Sequence, residues 1–295
     1  MLALPSHRAP SRAEISIEKL SNNGIAEYLR NTINLPEPVE ILGARYKEAR
    51  PFPHLVLDNL FPTELLDSLV AEIPPPKEEN WVHEDDEHLV KFNLRSAVHL
   101  GNSGFQLTAF LHSAAFLYFL SELTGIWDLL PDPYLQGSGY HIVPPGGKFD
   151  VHCDRNTAYS TGLTRRLSLN IYLNKDWKHE YGGQLELWNS DATRCEMVIE
   201  PVFNRTIVFD IADGHFHGLP TPITCPGGRS RRSFAVYYHT VGLAGHEKVA
   251  SHGSRYAPSI YLEKRRTMRD LGRDFIPPIL RRALKKLVSE KKVGL

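Results

Sequence analysis

The chain has 295 residues, 42% of them hydrophobic, and 34 Lys and Arg balance 34 Asp and Glu. Zero net charge gives no global pull toward nucleic acid, and the length accommodates one large domain with extensions. Three cysteines (Cys153, Cys195, Cys225) are too few for a disulfide framework or a Cys-rich zinc site, and neither a leader-like apolar segment nor a run of about 18 apolar residues occurs, so a cytoplasmic location is expected.

Residues 1–50 read as an N-terminal extension with a short helix around Ile15 to Leu29, interrupted by Gly24. Pro51 to Asp58 predicts a strand. Pro62 opens a helix whose Leu65, Leu66, Leu69, Val70 and Ile73 recur at helical spacing and stop at Pro74-Pro75-Pro76. Asn80 to Asp86, with Trp81 among several acids, reads as a lid or a solvated loop. A second helix is expected from Phe105 to Leu123, ended by Gly125. Residues 51–130 thus form a helical lead-in.

Beyond Pro131 the period becomes that of strands: Tyr134 to Val143, Phe149 to His152, Leu167 to Leu173, Gln184 to Trp188, Met197 to Ile199, Thr206 to Ile211 and Ser233 to Tyr238. Gly and Pro turns separate them. The pattern predicts an α+β chain with a mainly β core of jelly-roll type over 131–242, flanked by helices. Residues 243–295 form a C-terminal extension. From Lys264 to Lys292 eleven basic residues face three acidic ones, and Pro277-Pro278 open an amphipathic helix. That helix would dock on the core, join a second subunit in a homodimer, or rest on an anionic membrane surface.

Two imidazoles and one carboxylate form the face that holds Fe(II) and leaves coordination positions open. On a strand, His152 and Asp154 point to one side while Cys153 points away. The third donor is His217, because the Gly after it lets the backbone approach the metal, with His215 the fallback. Arg231 and Ser233 share a face, and a guanidinium beside a hydroxyl suits a carboxylate. Asn170 and Tyr172 share another and add polar contacts.

Several motifs in order resemble the prolyl-4-hydroxylase-like branch of the Fe(II)/2-oxoglutarate-dependent dioxygenases, in its bacterial form. They are His152-Cys153-Asp154, Tyr172 to Trp177, Gly182 to Trp188, Asn204-Arg205, His217-Gly218-Leu219-Pro220 and Arg231-Arg232-Ser233 through Tyr238. The resemblance covers roughly Gly139 to Thr240 and implies a double-stranded β-helix. It also implies Fe(II) on His152, Asp154 and His217, and 2-oxoglutarate with its distal carboxylate on Arg231, Arg232 being the alternative. Tyr172 matches the family's tyrosine near that carboxylate. The implied reaction hydroxylates an unactivated C–H with O2 while 2-oxoglutarate becomes succinate and CO2.

The substrate, a peptidyl residue or a small molecule, is expected to meet loops at the open end of the roll, and Trp177, Arg155 and Tyr140 are singled out for it. Two other readings compete: a cupin-like metal enzyme that ignores 2-oxoglutarate, and a catalytically silent jelly-roll binding module. The first leaves Arg231 and Ser233 without a role; the intact triad argues against the second.

Overall fold

The computed structural model describes residues 24–76, 79–94, 96–242 and 251–257. The start of the helix expected from Ile15 and the basic amphipathic helix after Pro278 lie outside the described residues.

The helical elements are α1 (Gly24–Thr32), α2 (Val39–Glu48), α3 (Thr63–Ala71), α4 (Asn102–Leu111) and α5 (Ala114–Thr124). The strands begin with β1 (His54–Asp58), β2 (Trp81–Asp85), β3 (Val90–Leu94), β4 (Leu130–Pro131), β5 (Gly139–Val143), β6 (Phe149–Cys153) and β7 (Thr164–Tyr172). They continue with β8 (Leu185–Trp188), β9 (Cys195–Ile199), β10 (Arg205–Asp210), β11 (His217–Leu219), β12 (Arg231–Thr240) and β13 (Arg255–Tyr256). The single helix expected from Phe105 to Leu123 is two helices, bent by 52°. The break has a local cause. Ser113 is extended and its hydroxyl accepts the Phe116 N–H at 3.3 Å, so it starts a new helix instead of continuing the old one. Gly125 then ends α5 in the left-handed region, as expected. No single helix among the described residues is long and apolar enough to cross a membrane.

Two antiparallel sheets form the jelly-roll core. The major sheet runs β1-β10-β7-β12-β5-β3-β2, with β4 also on β12, and the minor sheet runs β13-β6-β11-β8-β9. Side-chain alternation gives the major sheet two buried faces. Leu167, Leu169, Ile171, Phe234, Val236 and Tyr238 face the helices and pack with Phe116, Phe119 and Leu120. Tyr172, Ile207 and Phe209 face the minor sheet and meet Leu185 and Leu187.

The lead-in is not purely helical. β1 pairs with β10, and the β2–β3 hairpin joins the sheet through β5. Asn80 to Asp86, expected as a lid or loop, is mostly strand β2. An edge strand buries few side chains, and here Trp81 is buried while Val82, His83 and Asp85 are exposed. Its sequence therefore carries charges where an inner strand would alternate. The chain also returns after β12, and β13 pairs with β6.

Candidate metal centre

β6 delivers His152 near its end, Asp154 follows one residue past it, and β11 opens on His217. The register sets His217 opposite both His152 on β6 and Leu187 on β8. One donor atom from each of His152, Asp154 and His217 lies within 4.8 Å of the other two, and all three residues are buried. His152 Nε2 is 3.4 Å from Asp154 Oδ1, and His217 Nε2 is 3.8 Å from Asp154 Oδ2.

The tautomers follow from the partners. His152 Nδ1 donates to the Asp150 carbonyl at 2.8 Å, and His217 Nδ1 donates to the His215 carbonyl at 3.2 Å. A carbonyl only accepts, so each neutral ring carries its proton on Nδ1 and turns an Nε2 lone pair inward. Two lone pairs then face a carboxylate across a buried gap, and His152 Nε2 has no hydrogen-bond partner among the described residues. A bound cation makes that arrangement favourable. The donor set thus fits a metal ion and is of the kind that takes Fe(II).

Protonation agrees. Burial, and then the charge of His152, push the His217 imidazole down to about 4. Burial alone would raise the Asp154 carboxyl, but the neighbouring imidazoles and the Arg165 guanidinium outweigh it and hold it below the usual range. At neutral pH His217 is therefore neutral and Asp154 ionised, as ligation requires. Cys153 points away, and burial pushes its thiol up to about 11.

His215 is committed elsewhere. Its ring stacks on Phe52 at 4.6 Å and its Nδ1 bonds the Asp210 carbonyl at 3.0 Å. Gly218 has a different reason from the one expected. A Cβ there would lie 2.9 Å from Phe149 O and from Val151 N and Cα, so the residue allows β11 to approach β6, not the backbone to approach a metal.

The two adjacent arginines separate by strand parity. Arg231 is buried on the interior face, while Arg232 is half-buried on the opposite side, beside Pro74 and Pro75. Arg231 Nε donates to the Gly183 carbonyl at 2.7 Å, and its guanidinium carbon lies 4.9 Å from the Tyr172 ring centroid. Gly183 makes room for it, since a Cβ there would stand 2.9 Å from Arg231 Cδ. Ser233 is buried between His141 and Tyr172 in register, and Asn170 donates to Ser168 Oγ at 2.9 Å. Among the described residues Arg231 forms no ion pair. A buried, unpaired cation calls for an anion.

Two of the residues singled out for the substrate do not reach the pocket. Tyr140 is fully buried on the helix side of the sheet, against Phe234, with its hydroxyl donating to Leu69 O at 3.3 Å. Its parity in β5 turns it away. Trp177 packs among Val143, Leu219 and Ile223 and donates Nε1–H to Gly182 O, filling a small apolar cluster. Arg155 does sit at the rim, over the exposed Tyr159. Sequence reasoning missed Lys91, His141, Phe149, Arg165, Tyr237 and Tyr256, which crowd around the triad. Phe149 stacks on His152 at 3.8 Å, and Tyr256 lies opposite His152 in register. For His141 and Tyr237, the signal was strand parity, which sets both on the face of Ser233; Arg165 shares the parity of Leu167 and escapes that signal, because the register shifts at Tyr238/His239.

Residues 136–239 match a family model described as the 2OG-Fe(II) oxygenase superfamily. No curated protein matches the chain. Among solved structures, the chain is similar to a prolyl-4-hydroxylase from Pseudomonas putida, 20% identical with a TM-score of 0.48, covering 68% of this chain and 100% of that one. It is also similar to a 2OG-Fe(II) oxygenase family oxidoreductase from Burkholderia pseudomallei (18%, 0.46, 70% and 91%). A third is a Trichoplax adhaerens prolyl hydroxylase in complex with a hypoxia inducible factor peptide fragment (13%, 0.47, 75% and 94%). None of the three reaches a TM-score of 0.5, so the roles of individual residues rest on the geometry above.

Proposed function

We propose, from the premise that this chain carries a 2OG-Fe(II) oxygenase domain, that His152, Asp154 and His217 hold its Fe(II) and that Arg231 binds the distal carboxylate of 2-oxoglutarate. Tyr172 and Ser233 flank that carboxylate, and Asn170 lies farther along the same face. The substrate is a small molecule or a peptidyl group offering an unactivated C–H. When bound, the iron with 2-oxoglutarate and O2 supplies the oxidising chemistry, releasing succinate and CO2.

The chain's own contribution is orientation and exclusion. The Nδ1–H bonds to backbone carbonyls keep both imidazoles aimed at the ion. Phe149 against His152, and Phe209 at 4.7 Å from His217, keep water from the donor side. Arg231 would hold the keto acid by its far carboxylate and so orient it toward the triad.

The observation that carries this reading is a pair of complementary groups inside the roll: a buried set of two imidazoles and a carboxylate suited to a cation, and a buried arginine with no carboxylate partner among the described residues. A cupin-like enzyme or a silent module would leave Arg231 buried without purpose. The test is anaerobic addition of Fe(II) and then 2-oxoglutarate, watching for the visible charge-transfer band of the chelate. It is expected in the native protein and absent in His152→Ala. A native protein that binds Fe(II) but gives no band refutes the co-substrate role.

A further inference from the structure

Three further cations border the metal pocket, and one of them, Lys91, stands level with Arg231 across β5. Lys91, on β3, holds its ammonium 4.8 Å over the Phe149 ring, and that ring stacks on His152. One aromatic ring therefore separates this charge from a metal donor. Arg165, on β7, lays its guanidinium 3.7 Å over Tyr237. Its Nη2 donates to Gln136 O at 3.1 Å, while its buried Nε–H has no acceptor among the described residues. Arg155 directly follows Asp154 and lies 3.5 Å over the Tyr159 ring at the rim.

Lys91 and Arg165 sense one another. Burial pulls the Lys91 ammonium down; the Arg165 charge acts in the same direction, and Glu84 and Asp154 in the opposite one. Among the described residues, Glu84 is the only carboxylate in ion-pair reach of any of the three, 3.6 Å from Lys91, and it also accepts from Asn93. Asp154 is committed to the metal. Three cations against one carboxylate in a half-closed site repel unless another anion enters.

2-Oxoglutarate does not reach the far side of this set, where Arg165 lies over Tyr237. Arg231 and Tyr237 stand six positions apart on one face of β12, roughly 20 Å along the strand. A five-carbon acid reaching from Arg231 to the metal spans roughly a third of that distance.

Resting on the oxygenase reading, we infer that the substrate carries an oxyanion, a carboxylate or a phosphate, which Lys91, Arg165 and Arg155 hold at the mouth of the metal pocket. Arg155 and Arg165 supply planar donor pairs, and Lys91 supplies a point charge beside the metal. The C–H to be oxidised then lies within a short reach of that anion. A neutral prolyl or sugar group would leave the cations unpaired.

Inorganic sulfate is the probe. The anaerobic holoenzyme with Fe(II) and 2-oxoglutarate is titrated with sulfate by calorimetry while the visible band reports co-substrate occupancy. The native protein is expected to bind sulfate in the millimolar range, and Lys91→Gln and Arg165→Gln to bind it at least about tenfold more weakly. Methyl phosphate compared with acetate then identifies which oxyanion the site prefers. No sulfate binding, equal binding by both variants, or loss of the band as sulfate enters would each overturn the inference. Lys91→Gln lies in an edge hairpin and keeps the test open if Arg165→Gln does not fold. Should the native protein show no band at all, the oxygenase reading fails separately, and sulfate binding to the metal-free protein still reads the cation cluster.

Discussion

Gly218→Ala should loosen the metal centre through the spacing of two strands. The new methyl would lie 2.9 Å from Phe149 O and from Val151 N and Cα, all backbone atoms that cannot swing aside. Comfortable contact for a carbon begins at about 3.5 Å, so β11 must retreat from β6 by roughly half an ångström. Gly218 does not occupy the left-handed region, so the cost is steric and not conformational. Overpacking of this kind costs about 1–3 kcal/mol, and at this chain length that lowers Tm by roughly 2–12 °C. The second consequence is sharper. β6 carries His152 and β11 carries His217, while metal–ligand distances tolerate only ~0.2 Å. Fe(II) affinity should fall at least about tenfold, beyond what reduced stability explains. Anaerobic thermal melts with and without Fe(II) and 2-oxoglutarate measure both effects, because the ligand-induced rise in Tm shrinks with affinity. Gly227→Ala, whose methyl meets nothing within 4 Å, is the control. A Gly218→Ala protein with native Tm and native iron affinity would refute the strand-spacing argument.

Arg231→Lys should raise the Kd for 2-oxoglutarate by roughly 10- to 150-fold, since the ammonium cannot both reach Gly183 O and fork a carboxylate, whereas Arg232→Gln, facing the other side of the sheet, should stay within about twofold. Titrating the visible band reads both constants. Tyr140→Phe should cost about 0.5–1.5 kcal/mol for the lost bond to Leu69 O and leave succinate release unchanged, which denaturant melts and turnover assays check together. Burial, the first cause, pushes His141 down to about 3 and His239 down to about 4. The unfolded chain takes up these protons near pH 6.5 and the native one does not, so their stabilisation is complete above that pH and is lost as pH falls toward 4. Melts at constant ionic strength should show Tm level from pH 8 to 7, with roughly 1–2 kcal/mol lost per histidine by pH 5 and a shallower decline in His239→Asn.

What could be read from the sequence was whatever periodicity encodes. His152 and Asp154 share a strand face by parity alone, and parity also separates Arg231 from Arg232 once β12 is fixed. His217 came from its place after an apolar strand, although the reason attached to Gly218 was wrong. The helix from Phe105 ran through Ser113 because its apolar spacing continues across a break made by one hydroxyl. Lys91 and Glu84 stayed hidden because an edge hairpin rich in charge looks like a solvated loop, and only pairing with β5 turns it toward the metal pocket. Trp177 and Tyr140 were misplaced for the converse reason: an aromatic near a motif is more often packing than recognition, and both fill apolar clusters.

The tautomer control has a physical consequence of its own. Both metal-facing imidazoles donate to the carbonyl two residues upstream, and His54 makes the same bond to Phe52 O at 2.8 Å. This is a property of an imidazole bent back along its own chain, so no other side chain is needed to select the donor nitrogen. Substitutions around the pocket should therefore leave ligand protonation alone and act through position. Without the ion, two lone pairs and a carboxylate face one another among buried groups, which opposes folding. With it, the same burial strengthens every bond to the ion. The centre is thus an element of the fold whose favourable half arrives with the metal, and iron binding should stabilise the two sheets against separation more than it stabilises the helices behind them.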